Sequence, residues 1–577
     1  MWCTALGHDL GQARALMPPM VLGLGTNNQH SEIWYLDCYT TSKLLEYPLV
    51  IAAIFIIGIG GSFQYGFHVS VMTSPSLELV NTTGTQRYGV RLDEGQVSLI
   101  WSFLVSIFCI GGMLGSLLAE QMCKKYGRKQ CLLLNNLPAI LAAVLMVLSQ
   151  RAVSFEMIMV ARLLYGINTG VGVTLHPMYL VECAPKNLRG TVGVMVATFC
   201  SLGKFIGQLL GIGELLGTGD RWVWLLGFSG FAALLQLSTL PLLPESPRYL
   251  LLNRRDHQGY DRAAKRLWGS RDYSVDTKEM LQERTALQDI KVHTVMELLL
   301  SRSMRWPVLT IIVTFSALQL SGINAVYFYS MDVFRAAGIP EQQLRYVALG
   351  MGLCEVASSL GCAIAVGFIG RKALLLWGYI GVGVTQTLLT ITLNLQTQIS
   401  WMPYCSILLI FLSIFFFSSG PAGVTMSLLG EFFTHSYKPA GYAIASNINW
   451  VCMFLVGMLF PFIVKYLGSF CFMIFLFFNT TVAAFVWFNV PETNNLSALE
   501  IKQEFLKMHT KTKTKTETKT ETKAKTETKT ETKAETETKT ETKAETETET
   551  ETKTKTCGPT RFETAVDTEG HSCQTRL

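Results

Sequence analysis

Apolar residues recur along this chain in blocks rather than at a helical or strand period. A bilayer-spanning helix needs about 20 mostly apolar residues. Blocks of about that length run over Leu49–Val71, Leu99–Ala119, Cys131–Leu148, Met157–Leu180, Val192–Leu210 and Val223–Leu243. A charged stretch follows, from Asn253 to Arg305. The blocks then resume at Val308–Tyr329, Val347–Ile369, Leu374–Leu393, Tyr404–Leu429, Ile444–Val464 and Phe470–Val490. The pattern predicts about twelve spans, split by one polar loop into two sets of about six, and lipid leaves helices as the default because unpaired backbone is costly there.

Basic residues set the orientation. Lys124, Lys125, Arg128 and Lys129, then Lys186 and Arg189, then Arg371 and Lys372, occupy alternate short loops. Those loops, both termini and the central loop are expected in the cytoplasm. The first loop then lies outside and carries the glycosylation sequon Asn81-Thr82-Thr83, so Asn81 is the expected acceptor. The triplets at Asn479, inside a span, and Asn495, in the cytoplasm, should be silent.

Composition narrows the classes. Only 16% of the 577 residues are charged, with a formal net charge of +6 and no basic domain, which excludes nucleic acid as a partner. The fourteen Cys are scattered, several of them within spans (Cys109, Cys362, Cys452), so neither a metal site nor a disulfide framework is expected. Residues 1–47 do not read as a signal peptide. Their apolar run, Ala15–Leu24, is short, interrupted by Pro18 and Pro19, and lacks a basic flank. Lys-Thr and Glu-Thr pairs fill about Thr510–Thr556, a composition that cannot bury apolar area. That tail reads as a solvated repeat, either inert or a tether for partners.

The loop motifs are duplicated, as the two sets of spans suggest. Gly127-Arg128-Lys129 follows span two, and Gly370-Arg371-Lys372 follows span eight. Glu182 precedes Arg189 by seven residues after span four, and Glu431 precedes Lys438 by seven after span ten. Such charges can bridge neighbouring helix ends and hold one conformation closed. Pro244-Glu245-Ser246-Pro247-Arg248 and Pro491-Glu492-Thr493 close the two halves.

As an ordered set, these motifs resemble the sugar-porter branch of the major facilitator superfamily over about residues 48 to 495. Gln319-Leu320-Ser321-Gly322-Ile323-Asn324 resembles the sugar-site signature of its facilitative glucose carriers. Phe63-Gln64-Tyr65-Gly66 and Gly420-Pro421-Ala422-Gly423-Val424-Thr425 resemble the class II branch, which includes a fructose carrier. The resemblance implies an all-α membrane protein of twelve transmembrane helices, with cytoplasmic termini. Its parts would be an N-terminal extension (1–47), a six-helix bundle (48–243), a cytoplasmic loop with short helices (244–306), a second bundle (307–490) and a tail (491–577). It implies passive carriage of a hexose, glucose or fructose, across the plasma membrane, with no cofactor, no metal and no enzymatic step. The oligomeric state is left open.

By the same resemblance, Gln319, Asn324 and Trp450 fall on sugar-contacting positions, with Gln64 and Gln208 as further candidates. Amides suit a sugar because they both donate and accept without charge. Tyr327, Phe328 and Tyr329 would close the outer path, and Pro421 would bend span ten because proline lacks an amide donor. Three departures put glucose selectivity in doubt: Leu318 replaces the first of two consecutive Gln, Ala197 replaces a span-five Gln, and Met426 stands at the span-ten Trp.

Charges inside spans are functional candidates. Lys204 in span five and Glu355 in span eight fall on pore-facing positions; they either pair across the cavity or face its water separately. His68 stands where proton-coupled relatives have Asp and uniporters Asn, with Arg162 as its partner. A guanidinium nearby disfavours a second positive charge, so His68 reads as a neutral mimic of Asn, with proton coupling the rival. A non-transporting receptor that uses its tail and a urate carrier are the other rivals.

Overall fold

The computed structural model describes residues 46–508, apart from stretches within 74–77, 90–92, 186–187, 218–220, 270–293, 397, 434–435 and 494–499. The N-terminal extension and the repeat tail lie outside the described residues. Among those described there is no strand.

The chain forms α1 (Pro48–Gly60), α2 (Ser62–Ser70), α3 (Glu78–Tyr88), α4 (Glu94–Tyr126), α5 (Arg128–Ala152), α6 (Phe155–Cys183), α7 (Arg189–Leu210) and α8 (Trp222–Thr239). The central loop carries α9 (His257–Trp268) and α10 (Val295–Leu300). Then come α11 (Arg305–Leu320), α12 (Ile323–Phe328), α13 (Ser330–Ala336), α14 (Leu344–Ile369), α15 (Arg371–Leu395), α16 (Met402–Phe417), α17 (Gly423–Phe432), α18 (Lys438–Leu467) and α19 (Cys471–Asn489). Among the described residues, nine helical runs are long and apolar enough to cross a membrane; one of these, Lys438–Asn489, contains both α18 and α19.

The helices overrun their apolar blocks, because a hydrogen-bonded helix stops at a cap and not at the bilayer surface. Asp93 caps α4 in a reciprocal box with Gln96, six residues before the apolar run begins at Leu99. At the far end α4 continues through Lys124 and Lys125 to Gly127, whose φ of 92° turns the chain into α5. Gly370, with φ 87°, makes the matching turn between α14 and α15.

Helix crossings are set by small residues. A Cβ on Gly111 or Gly115 of α4 would lie 2.2 Å from the carbonyl oxygens of Leu163 and Ile167 on α6. Reciprocally, one on Gly166 or Gly170 of α6 would lie 2.1 Å from those of Phe108 and Gly112. Lipid offers no hydrophobic drive between helices, so this close backbone approach is what holds them. In α2 and α7, Gly66 and Gly203 play the same part against Cys200 and Phe63.

Two interruptions matter for function. Gly322 takes a left-handed conformation (φ 86°) and separates α11 from α12, and Phe475 fills the space where a side chain would stand. Between α16 and α17, residues Ser418–Ala422 widen into a π-helical turn containing Pro421, packed against Gly378. A proline that cannot donate its amide favours such a turn, and π turns recur at functional sites.

Candidate functional site

The break at Gly322 brings Gln319, in the last turn of α11, beside Asn324, in the first turn of α12. Asn324 Nδ2 donates to Gln319 Oε1 at 2.5 Å, and Gln319 Nε2 donates to Asn449 Oδ1 on α18 at 2.7 Å. Three uncharged amides thus form a chain, with spare donors and acceptors at each end. Sequence reasoning missed Asn449; its place immediately before Trp450 was the available signal. Trp450 is only 2% exposed. Its ring lies over Gly112 and meets Tyr65 and Phe108 edge-on, each at 5.7 Å. In this conformation its face is therefore covered by α4 instead of lining an open path. The Tyr65 hydroxyl points to Met453 Sδ at 3.6 Å, joining α2 to α18.

Lys204 and Glu355 meet. Lys204 Nζ donates to Glu355 Oε1 at 2.8 Å and to Oε2 at 3.1 Å, with both side chains 5% exposed. Ser201 Oγ donates to the same carboxylate at 3.4 Å, and the Tyr327 ring faces Lys204 Nζ at 4.3 Å. Gln208, one turn along α7, is buried, and neither its amide oxygen nor its nitrogen has a partner. Its amide oxygen lies against Gly352 of α14.

Gln64 is apart from Gln319 and Asn324. Its Nε2 donates to the Ser229 carbonyl at 3.1 Å, its oxygen accepts from Ser229 Oγ, and Ser229 Oγ contacts His68 Nε2 at 2.8 Å. Arg162 lies beside His68, as expected, without bonding its imidazole. Its guanidinium instead donates to backbone carbonyls, of His68 and Val105 at 3.1 Å and of Leu104 at 3.5 Å, and lies over Phe108 at 4.8 Å. The reason is the fan of N–H donors, which reaches several carbonyls of α2 and α4 at once. The His68 ring packs on Tyr165 at 4.2 Å between centroids.

At the end of the bundle carrying the Gly-Arg-Lys loops, one network occurs twice. Arg128 donates to Glu182 at 2.9 Å, and Ser246 Oγ donates to the same carboxylate. Glu245 accepts the backbone N–H of Arg128 at 3.2 Å and of Lys129 at 3.1 Å, where α5 begins. In the second copy Arg371 meets Glu431 at 3.1 Å, and Thr493 Oγ1 donates to Glu431 at 2.7 Å. Glu492 accepts the N–H of Arg371 at 2.9 Å and of Lys372 at 3.1 Å. A carboxylate at a helix start satisfies orphan donors and meets the positive end of the helix dipole. Burial lifts the Glu245 carboxyl above the usual carboxylate range, against the hydrogen bonds and the Arg128 charge that lower it. Glu182 and Glu431 are thus bonded to the arginines of the Gly-Arg-Lys loops, each bridging two neighbouring helix ends. The side chain of Arg189 lies outside the described residues. Arg248 sits in the short helix Pro247–Tyr249, beside Glu245 in sequence.

Tyr327, Phe328 and Tyr329 are all buried, and Tyr329 donates to the Gly457 carbonyl at 2.7 Å. The Asn81 triplet lies in α3. Asn479 is buried, its Nδ2 donating to Gln386 Oε1 at 2.9 Å. No cluster of His, Cys, Asp and Glu able to hold a metal occurs among the described residues.

Residues 53–505 match the family described as "Sugar (and other) transporter". Solute carrier family 2, facilitated glucose transporter member 9, of Mus musculus is 41% identical over 469 residues, 81% of this chain and 87% of that protein. Member 5 of the same family in Ovis aries is 39% identical over 465 residues, 80% of this chain and 93% of that protein. The solved structure of the proton:xylose symporter XylE bound to 6-bromo-6-deoxy-D-glucose shares the fold. Its TM-score is 0.65 at 20% identity, covering 79% of this chain and 99% of that one.

Proposed function

The chain belongs to the sugar transporter family, as a multi-pass membrane transporter of the major facilitator fold and not an enzyme, and from that premise we propose that it carries glucose or fructose passively across the plasma membrane. The Gln319–Asn324–Asn449 amide chain supports this reading most directly. Neutral donors and acceptors at a helix break can take the hydroxyls of a sugar and release them again, whereas a net charge would hold a counter-ion. Lys204 and Glu355 cancel each other, so they add polarity without net charge.

In this reading twelve spans form two six-helix bundles, at 48–243 and 307–490, that rock about the amide site. The loop 244–306 lies in the cytoplasm with both termini, which places the Gly-Arg-Lys end inside. Tyr327, Phe328 and Tyr329 close the outer path, and the widened turn at Pro421 lets the second bundle flex. Asn81 carries a glycan on the outer face.

The test is uptake by the purified protein in liposomes. Labelled glucose, fructose and urate are each offered with and without a pH gradient. Saturable hexose entry that equilibrates and ignores the gradient is expected. Accumulation driven by the gradient would make the protein a symporter. Urate entry without hexose entry would make it an anion carrier, and sugar binding without flux a receptor.

A further inference from the structure

The Lys204–Glu355 pair sits where two helices of different sets touch. α7 and α14 are in contact from this pair towards one end of the bundle. A Cβ on Gly352 would lie 2.2 Å from Gln208 Oε1 and 3.0 Å from Phe205 Cα, and one on Gly213 would lie 2.8 Å from Arg345 Nη1. At the tip, Tyr346 donates to Glu214 at 2.8 Å. The seam is thus shut from the ion pair to the Glu214–Tyr346 end, opposite the Gly-Arg-Lys loops.

We propose that the Lys204–Glu355 pair is a latch between the two helix sets, and that a neutral polyhydroxyl solute releases it by taking over the hydrogen bonds of both charges. The proposal rests on the transport reading above, because only a carrier must open this seam. Opening it separates α7 from α14 and pulls the ammonium from the carboxylate. Two desolvated charges would then lose their partner, which is strongly unfavourable. An empty carrier must meet that cost with water alone.

The surroundings fit a polyol. Lys204 offers a donor and Glu355 an acceptor, and the Gln208 amide offers both with neither engaged. Adjacent hydroxyls of one solute can accept from Lys204, donate to Glu355 and engage the amide together, since each hydroxyl both donates and accepts. A neutral solute leaves the cluster uncharged overall. Tyr327, in the first segment after the Gly322 break, faces Lys204 and so joins this cluster to the helix that carries Asn324. Substrate held at the amide chain is thereby coupled to the latch.

Two measurements test this. The first needs no solute: hydrogen–deuterium exchange of the intact protein in nanodiscs, read over residues 205–214 and 344–354. The K204M/E355Q variant is expected to exchange faster there by about tenfold or more, since a hydrogen-bonded charge pair is lost. The charge-swapped K204E/E355K variant should regain protection, which separates loss of the latch from general misfolding. Unchanged exchange in K204M/E355Q would overturn the latch, whichever solute is carried.

The second compares equilibrium exchange with zero-trans entry of labelled fructose and glucose in liposomes. In the native protein exchange should exceed entry about tenfold or more, because the loaded carrier reorients with its charges bonded and the empty one does not. In K204M/E355Q the ratio should fall towards one. A native ratio near one, or an unchanged ratio in the variant, would overturn the role given to the solute. Absence of any hexose entry would defeat the transport reading instead, with hydrogen exchange still deciding whether the pair is a latch.

Discussion

Replacing Gln319 by Ala separates direct recognition from positioning in the amide chain. Gln319 lies between two partners, accepting from Asn324 at 2.5 Å and donating to Asn449 at 2.7 Å. One donor hydrogen and one acceptor lone pair of its amide remain for a sugar hydroxyl. A net hydrogen bond contributes about 0.5–1.5 kcal/mol, so Gln319→Ala should lower hexose kcat/KM about two- to thirteenfold. Asn449→Ala keeps the Gln319 amide but frees it to rotate. Its loss should therefore be smaller, about two- to fivefold, and mostly in KM. The double variant should resemble Gln319→Ala alone, because without Gln319 there is nothing left for Asn449 to hold. The assay is initial-rate uptake in liposomes containing equal amounts of folded protein. Native uptake by Gln319→Ala would remove the amide from the site. Losses that multiply in the double variant would show that Asn449 contacts the sugar independently.

Other perturbations follow from the same geometry. Glu245→Ala exposes two backbone N–H groups at the start of α5 and should cost about 1–3 kcal/mol; Glu492→Ala does the same at α15 but at a more exposed site, so thermal unfolding in detergent should show the larger fall for Glu245→Ala. Gly166→Val drives a side chain into a carbonyl 2.1 Å from the ideal Cβ position, and size-exclusion chromatography should find little folded protein, while Ser427→Ala, which loses only a bond within its own helix, serves as a control that folds normally. Truncation after residue 508 should leave liposome uptake intact, since a Lys/Thr/Glu repeat buries no apolar area; loss of uptake by folded truncated protein would give the tail a role in transport.

Much of this protein is legible in its sequence because the bilayer acts locally. Each apolar block coincides with a helix or a broken helix, since hydrocarbon thickness and the need to pair every backbone amide act on the nearest 20 or so residues alone. The juxtaposition of Gln319 with Asn324, five residues apart, is equally local, although Val308–Tyr329 reads as one unbroken span and the left-handed turn at Gly322 appears only in the structure. The duplicated loops can be read as repeats, although their bonding cannot. Glu182 and Glu431 each precede a base by seven residues, yet each is bonded to an arginine more than fifty residues earlier.

Rotation of one helix against another was decided only by the tertiary structure. Lys204 and Glu355 are 151 residues apart, and Gln319 and Asn449 are 130 apart. Nothing within either segment dictates which face of α7 meets α14, or which amide of α18 reaches α11. Arg162 shows the same limit. Its nearest acceptors are backbone carbonyls, which every residue possesses, so no pattern of side chains could point to them. Glycine positions fix how closely α4 and α6 approach, and so how the surrounding helices turn. Packing of backbone against backbone thus sets the phase of each helix, and with it which buried polar groups meet.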